Sequence, residues 1–327
     1  MQTIENNSRD IPARLRADAV ATRHPNQCAR LKVAVASGRL GQSLLLSGPR
    51  GIGKSTVAHW LAITVNEAVV CSDHSRQDVH ESEHSGLGRL KRGHTVDYLE
   101  VSAVGATIGI EQVRQIQQSL LYTPHELPVR FVVFRRAHLL SLPAANALLK
   151  TLEEPPQKTC IVLTSDVPAA LPETVRSRLQ CWRLFPIPCD IDNTERLNEI
   201  DRDLYACYPG QPGYIDSLRA REDIQALVGA VRHIVESVSV TQDSDGMISD
   251  VIVALEPVAK QRESLLVIYD MLLRRVYAAL RTRSGQVDPT AEAGRQQRLR
   301  RFFRALEANR PWQHPSRDMR LVIEAAY

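Results

Sequence analysis

The sequence predicts a doubly wound α/β domain built on a phosphate-binding loop, followed by a small mixed segment and an all-helical domain. Three observations predict this. Between about residues 24 and 185, the short apolar runs SLLLS (43–47), VDYLEV (96–101), RFVVF (130–134), CIVLT (160–164) and CWRLF (181–185) alternate with helix-like segments. That is the pattern of a parallel sheet with crossover helices. The stretch GPRGIGKS at 48–55 matches G-x-x-x-x-G-K-[ST] and stands between an apolar run and a helix-like run. After PIP at 186–188 the strand signal stops, and from 223 onward helical spacing dominates. The boundaries are therefore set at 1–188 for the α/β domain, with 1–23 as an N-terminal extension, 189–222 for the small segment, and 223–327 for the helical domain.

The first strand feeds the loop, and the loop opens the helix STVAHWLAITVNEAV, where Val57, Trp60, Leu61, Val65 and Ala68 share a face. Gly48, Gly51 and Gly53 let the backbone amides turn inward around phosphates, and Lys54 reaches the outer ones. Ser55 is placed to ligate magnesium, and Thr56 continues the helix start, whose N-terminus adds positive potential. This predicts an ATP or ADP site.

Hydrolysis needs an acid at the tip of a neighbouring strand to hold magnesium and a group to orient water. By position FVVF is that strand, yet its tip is Arg135-Arg136. A guanidinium neither ligates a cation nor accepts a proton. The acids Glu153 and Glu154 close a later helix. Asp270, after ESLLVIY, continues a helical stripe through Leu266, Tyr269, Leu272, Leu273, Val276 and Leu280. The expected site holds nucleotide and hydrolyses it poorly or not at all. In the helical domain a second stripe runs through Leu227, Val228, Val231, Ile234 and Val235, and a third through Leu299, Phe302, Phe303 and Leu306, the last on a helix whose basic face is solvated.

NALLKTLEEPP (146–156), the strand TCIVLTSD after it, and LPETVRSRLQ (171–180) resemble the signature run of the AAA+ clamp-loader family, most of all its delta prime type in bacterial DNA polymerase III. The motifs cover about residues 24 to 222; the helical remainder fits the family's C-terminal collar by length and class. The resemblance implies a lid domain at 189–222 and a collar at 223–327. Arg135 and Arg136 fall where motor subunits carry an Asp-Glu pair. Thr164 and Ser165 fall at the position whose polar side chain faces the γ-phosphate. Arg178, in Ser177-Arg178-Leu179, falls where the family offers an arginine to the nucleotide of an adjacent subunit, although Leu179 departs from the family's cysteine. In GQPGYI, Tyr214 replaces the lid arginine. The implied function is a hetero-oligomeric, non-hydrolysing or weakly hydrolysing subunit of the DNA polymerase III holoenzyme. It would scaffold the loader, supply a trans arginine finger, and work with the other AAA+ subunits, the sliding clamp and primer-template DNA.

The family often holds zinc with four cysteines ahead of a His-Pro-Asp turn. Here Cys71, His74, His80 and His84 are the candidate ligands and HTVD echoes the turn, but the acidic, Ser-rich filling suits a solvated loop, so no zinc is expected. With 43% hydrophobic and 24% charged residues and a net charge of +4, the chain is neither disordered nor fibrous. Arg greatly outnumbers Lys, which is compatible with nucleic-acid association without specifying it. The six scattered cysteines imply no disulfide framework. No stretch approaches the roughly 20 apolar residues needed to span a bilayer, and MQTIENNSRDIPARLR lacks a signal-peptide core, which predicts a cytoplasmic protein and no membrane partner. Two alternatives stand beside the clamp-loader expectation: an independent P-loop ATPase or phosphotransferase using Lys54, and a motor subunit of an unusual loader.

Overall fold

In the computed structural model, the residues described are 23–72, 85–186, 198–240, 262–281 and 289–308. The chain divides into two compact units that meet at Ile187 and Pro188 in the sequence.

The first unit is a five-stranded, wholly parallel sheet of β1 (Ser43–Ser47), β2 (Tyr98–Val101), β3 (Arg130–Phe134), β4 (Thr159–Ser165) and β5 (Gln180–Arg183), in the order β2-β3-β4-β1-β5. All five apolar runs of the sequence became strands. The three central strands, β3, β4 and β1, are buried along their whole length, as expected of a parallel sheet covered on both faces. Alternate residues of one strand serve opposite cores. Leu44, Leu46, Phe131 and Val133 pack with α1 (Pro25–Ala36), α2 (Lys54–Ser72) and α3 (Gly86–Arg92). Leu45, Val132, Phe134 and Leu163 pack with α4 (Ile110–Ser119), α5 (Leu142–Glu153) and α6 (Glu173–Arg176).

Helix α2 is buried more completely than a one-sided stripe allows. Val57, Ala58, Trp60, Leu61, Ala62 and Ile63 are all inside, while Ala68, expected on the buried face, is exposed. Buried positions continue to Asn66, and from Glu67 on the residues are half-buried or exposed.

The second unit contains α7 (Glu199–Cys207), α8 (Pro212–Arg219), α9 (Ile224–Val240), α10 (Arg262–Arg281) and α11 (Pro289–Ala308) among the described residues. One apolar core joins Leu204, Tyr208 and Ile215 to Leu227, Val231, Ile268, Tyr269, Leu272, Phe302 and Leu306. The segment expected as a lid and the helices expected as a collar thus share their interior. Leu266, expected in the α10 stripe, is 39% exposed, whereas Tyr269, Leu272 and Val276 are fully buried. Asp270 lies within α10 and pairs with Arg274 one turn on, at 3.0 Å.

Candidate nucleotide site and the opposite sheet edge

In a parallel sheet all strands end at one edge, and the loop after β1 collects there with the tips of β3 and β4. Gly48, Gly51 and Gly53 have φ of 152°, 73° and 101°. At Gly48 a Cβ would stand 2.7 Å from the carbonyl oxygen of Leu184, so backbone packing as well as dihedral requires glycine there. The loop has the glycine conformations that the sequence implied.

Lys54, the first residue of α2, is 7% exposed. Its Nζ donates to the carbonyls of Gly48 (2.8 Å) and Pro49 (2.7 Å) and pairs with the carboxylate of Asp166. Burial lowers the Lys54 pKa most. The Asp166 hydrogen bond and charge oppose that, and Arg136 and Arg50 reinforce it. His24, the cap of α1, is buried with Nε2 2.8 Å from the Ile52 carbonyl, and its Nδ1 is enclosed without a hydrogen-bond partner.

The two arginines at the tip of β3 diverge. Arg135 turns to Glu100 on β2, at 3.5 Å, which is the strand on the far side of β3 from the loop. Arg136 adopts the left-handed region, φ 52° and ψ 51°, and places its Nε 4.0 Å from Asp166. Only Arg136 therefore belongs to the phosphate-loop cluster. Its backbone N–H donates to Thr164 Oγ1 (3.1 Å), and Thr164 Oγ1 donates in turn to the Phe134 carbonyl (3.4 Å). The Thr164 hydroxyl is thus spent on holding the tip of β3. Ser165 Oγ lies 3.2 Å from His138 Nδ1 and accepts the Val167 N–H. The pKa of His138 is lowered, first by burial and then by Arg136 and Lys54, against the pull of Asp166. Ser55 and Thr56 occupy the first turn of α2.

Asp166 is the residue that motif matching missed. It is 16% exposed, it follows β4 rather than β3, and it faces both Lys54 and Arg136. The signal was present as the acid in TSD, one position past a fully buried strand, but it becomes visible only when β4 is known to lie next to β1.

Arg178 lies at the other edge. It follows α6 and precedes β5, whose Gln180 is in register with Leu44 near the start of β1, while Arg183 is in register with Ser47 just before the loop. A five-residue strand such as β1 spans about 16 Å, so the sheet separates Arg178 from the chain's own Lys54. Its guanidinium pairs with Glu153 at the end of α5, through Nε at 2.5 Å, and donates from a terminal nitrogen to the Thr174 carbonyl at 2.8 Å. Glu154 caps the same helix. Tyr214 belongs to the second unit, on α8, where its ring meets that of Tyr208 edge-on at 4.8 Å.

Of the zinc candidates, Cys71 is exposed near the end of α2, and His74, His80 and His84 lie outside the described residues. Among the described residues, no group of three or more His, Cys, Asp or Glu side chains is arranged to hold a metal, and no helix is long and apolar enough to cross a membrane.

The family described as DNA polymerase III, delta subunit, matches residues 23–188. A DNA polymerase III subunit gamma from Buchnera aphidicola subsp. Schizaphis graminum is 34% identical over 148 residues, which are 45% of this chain and 39% of that protein. Subunit tau of Escherichia coli is 32% identical over 170 residues, 50% of this chain and 24% of that one. The match therefore spans two fifths or less of these relatives' own length. A solved DNA polymerase III gamma subunit-related protein from Thermotoga maritima covers 92% of this chain and is itself covered over 97%, at 17% identity and a TM-score of 0.47.

Proposed function

The chain belongs to the DNA polymerase III, delta subunit family, a family of AAA+ clamp-loader proteins, and from that premise we propose that it is a delta prime type subunit, a scaffold and trans-activator rather than a motor. Its phosphate loop holds ATP or ADP through Gly48, Gly51, Gly53, Lys54, Ser55 and Thr56, and contributes little or no hydrolysis of its own. Arg178 serves the nucleotide of a neighbouring AAA+ subunit. Its partners are the other loader subunits, and through them the sliding clamp and primer-template DNA, in the cytoplasm.

The observation that carries this is the placement of arginines about the sheet. Guanidiniums occupy the β3 tip where a motor needs acids, and Arg178 stands at the edge away from the chain's own loop. A finger acts by stabilising negative charge that develops on the transferring phosphoryl group, and it does so equally well from another chain. The glycine φ values and the enclosed Lys54 suit a polyphosphate, and the unpaired Nδ1 of His24 beside Ile52 offers an acceptor to a ligand at the loop.

The test is reconstitution with cognate loader subunits, clamp and primed DNA. Arg178→Ala should assemble normally but lower ATP turnover and clamp loading, and Lys54→Ala should do so less. A silent Arg178→Ala beside an inactive Lys54→Ala would make this chain the motor.

The second reading, an independent P-loop ATPase or phosphotransferase, has one observation in its favour: Asp166 is an acid beside Lys54. It requires magnesium-dependent turnover by the purified chain alone, abolished by Lys54→Ala.

A further inference from the structure

Lys54 is the buried cation of the phosphate loop, and in the chain as it stands its charge is already answered. An ammonium group has three donors. Two of them reach the carbonyls of Gly48 and Pro49, and Asp166 Oδ1 takes the ion pair. The second oxygen of the same carboxylate lies toward Arg136 Nε at 4.0 Å, so one anion bridges the loop lysine and the β3-tip guanidinium. That is the pair of contacts an outer phosphate oxygen would make. Asp166 is held for the task. Ser165 before it is fully buried, with its hydroxyl engaged by His138 and by the Val167 N–H just after the aspartate.

We propose that Asp166 is an internal counter-anion of the phosphate site: it occupies Lys54 and Arg136 when no phosphate is present and must be displaced by an entering nucleotide polyphosphate. This rests on the reading of residues 48–55 as a nucleotide site and deepens it. Binding then exchanges one anion for another at the same two cations, so the carboxylate sets the affinity without touching the bound nucleotide. It also biases the site: a di- or triphosphate brings more charge and more contacts with the loop to the exchange than a monophosphate or inorganic phosphate does, so it expels the carboxylate more readily.

Asp166→Asn keeps the shape and removes the charge, and Asp166→Ser is the companion variant should the amide disturb folding; thermal melts identify which variant is folded. Two measurements are made on the full-length chain. Acylation of Lys54 by acetic anhydride, read by mass spectrometry, reports whether the ammonium has been freed. Calorimetry with ATP in EDTA, and again in magnesium, reports the competition. Loss of the counter-anion should speed Lys54 acylation severalfold and tighten ATP binding about tenfold in both buffers, a change of about 1.4 kcal/mol. Unchanged or slower acylation overturns the proposal. Faster acylation with ATP binding weakened only in magnesium also overturns it, because Asp166 would then be a metal ligand. Faster acylation with no ATP binding by either protein upholds the Lys54–Asp166 pairing and removes the nucleotide-site reading instead.

Discussion

The two edges of the sheet use arginine in opposite ways. At the edge where the strands end, Arg136 and the buried Lys54 close on Asp166, one carboxylate answering two cations. At the edge where they begin, Arg178 is one-third exposed and leans on the half-exposed Glu153. Solvent screens a pair of that kind, which contributes about 0–1 kcal/mol and is cheaply broken by a better anion. The first edge joins its charges in a partly buried cluster; the second leaves an arginine in an exposed pair, as the proposed role in trans requires. Arg136 itself is half-exposed, no more buried than Arg178, so the difference lies in the partner: a carboxylate shared with the buried Lys54 in one place, a half-exposed carboxylate in the other.

The largest effect should come from Arg178. Trans fingers supplied to GTPases contribute around 10³ to 10⁵ in rate, so Arg178→Ala in the reconstituted loader should cost at least tenfold in ATP turnover. Its effect on the melting of the isolated chain should stay within about 0.5 kcal/mol. A large loss of stability with unchanged turnover would erase the distinction between the edges.

A third arginine sharpens the comparison from the side of stability. Arg130 at the start of β3 is buried against Asp97, which is fully buried and also accepts the backbone N–H groups of His125, Glu126 and Leu127. The guanidinium returns bonds to the carbonyls of Ser119, Tyr122 and Thr123, so the pair fixes the whole turn ahead of β3. Removing one member of a buried pair leaves the other charge unanswered, and Arg130→Met should cost about 3–5 kcal/mol in denaturant unfolding. If it costs no more than Arg178→Ala, burial does not separate these arginines.

The site's chemistry gives a smaller expected effect. ATP affinity of the wild-type chain in EDTA should stay within a fewfold of that in magnesium, because Lys54 and Arg136 supply charge that magnesium otherwise screens. Calorimetry in the two buffers measures this, and strict dependence on magnesium would reveal a metal ligand at this edge. The double variant Arg135→Asp with Arg136→Glu should still show negligible turnover alone: Arg135 faces β2 rather than the loop, and on the proposed reading Tyr214 replaces a lid arginine and a neighbour's finger must also be supplied.

How much of this was legible follows from range. The five strands, the loop and the helix after it announce themselves within about 15 residues each, because apolar run, glycine spacing and helical periodicity are local signals. The β3 tip was placed correctly as a position, but its two arginines could not be told apart: which way each turns depends on strand order, with Glu100 on β2 and Asp166 just past β4, the two strands flanking β3. Asp166 was hidden for the same reason. Thr164 was expected to face a γ-phosphate; the partner seen in the structure is the backbone N–H of Arg136, which no local signal announces. Leu266 and Ala68 were assigned to buried faces by spacing alone, and both came out exposed because a periodic stripe says which side of a helix is apolar, not where along its length the neighbours stop.

The smallest expected effect is a pH dependence, to which the loop edge contributes through His138. The pKa values of His138, in the Lys54 cluster, and His59, whose Nε2 meets the Leu90 carbonyl at 2.8 Å beneath Tyr98, are both lowered from 6.5, chiefly by burial. The unfolded chain therefore binds these protons before the folded chain does. Between the ordinary value of 6.5 and the depressed folded values, the unfolded state holds more protons, so stability rises with pH in that window. Above 6.5 the contribution is fully present; as pH falls through 6.5 it is lost progressively, until the folded chain protonates too and the curve levels. Denaturant midpoints measured from pH 7.5 down to 5 should fall on the acid side, and His59→Phe together with His138→Gln should flatten the fall. A decline that persists unchanged in that double variant would assign the acid sensitivity to the carboxylates, and would leave the loop edge without a proton-linked term of its own.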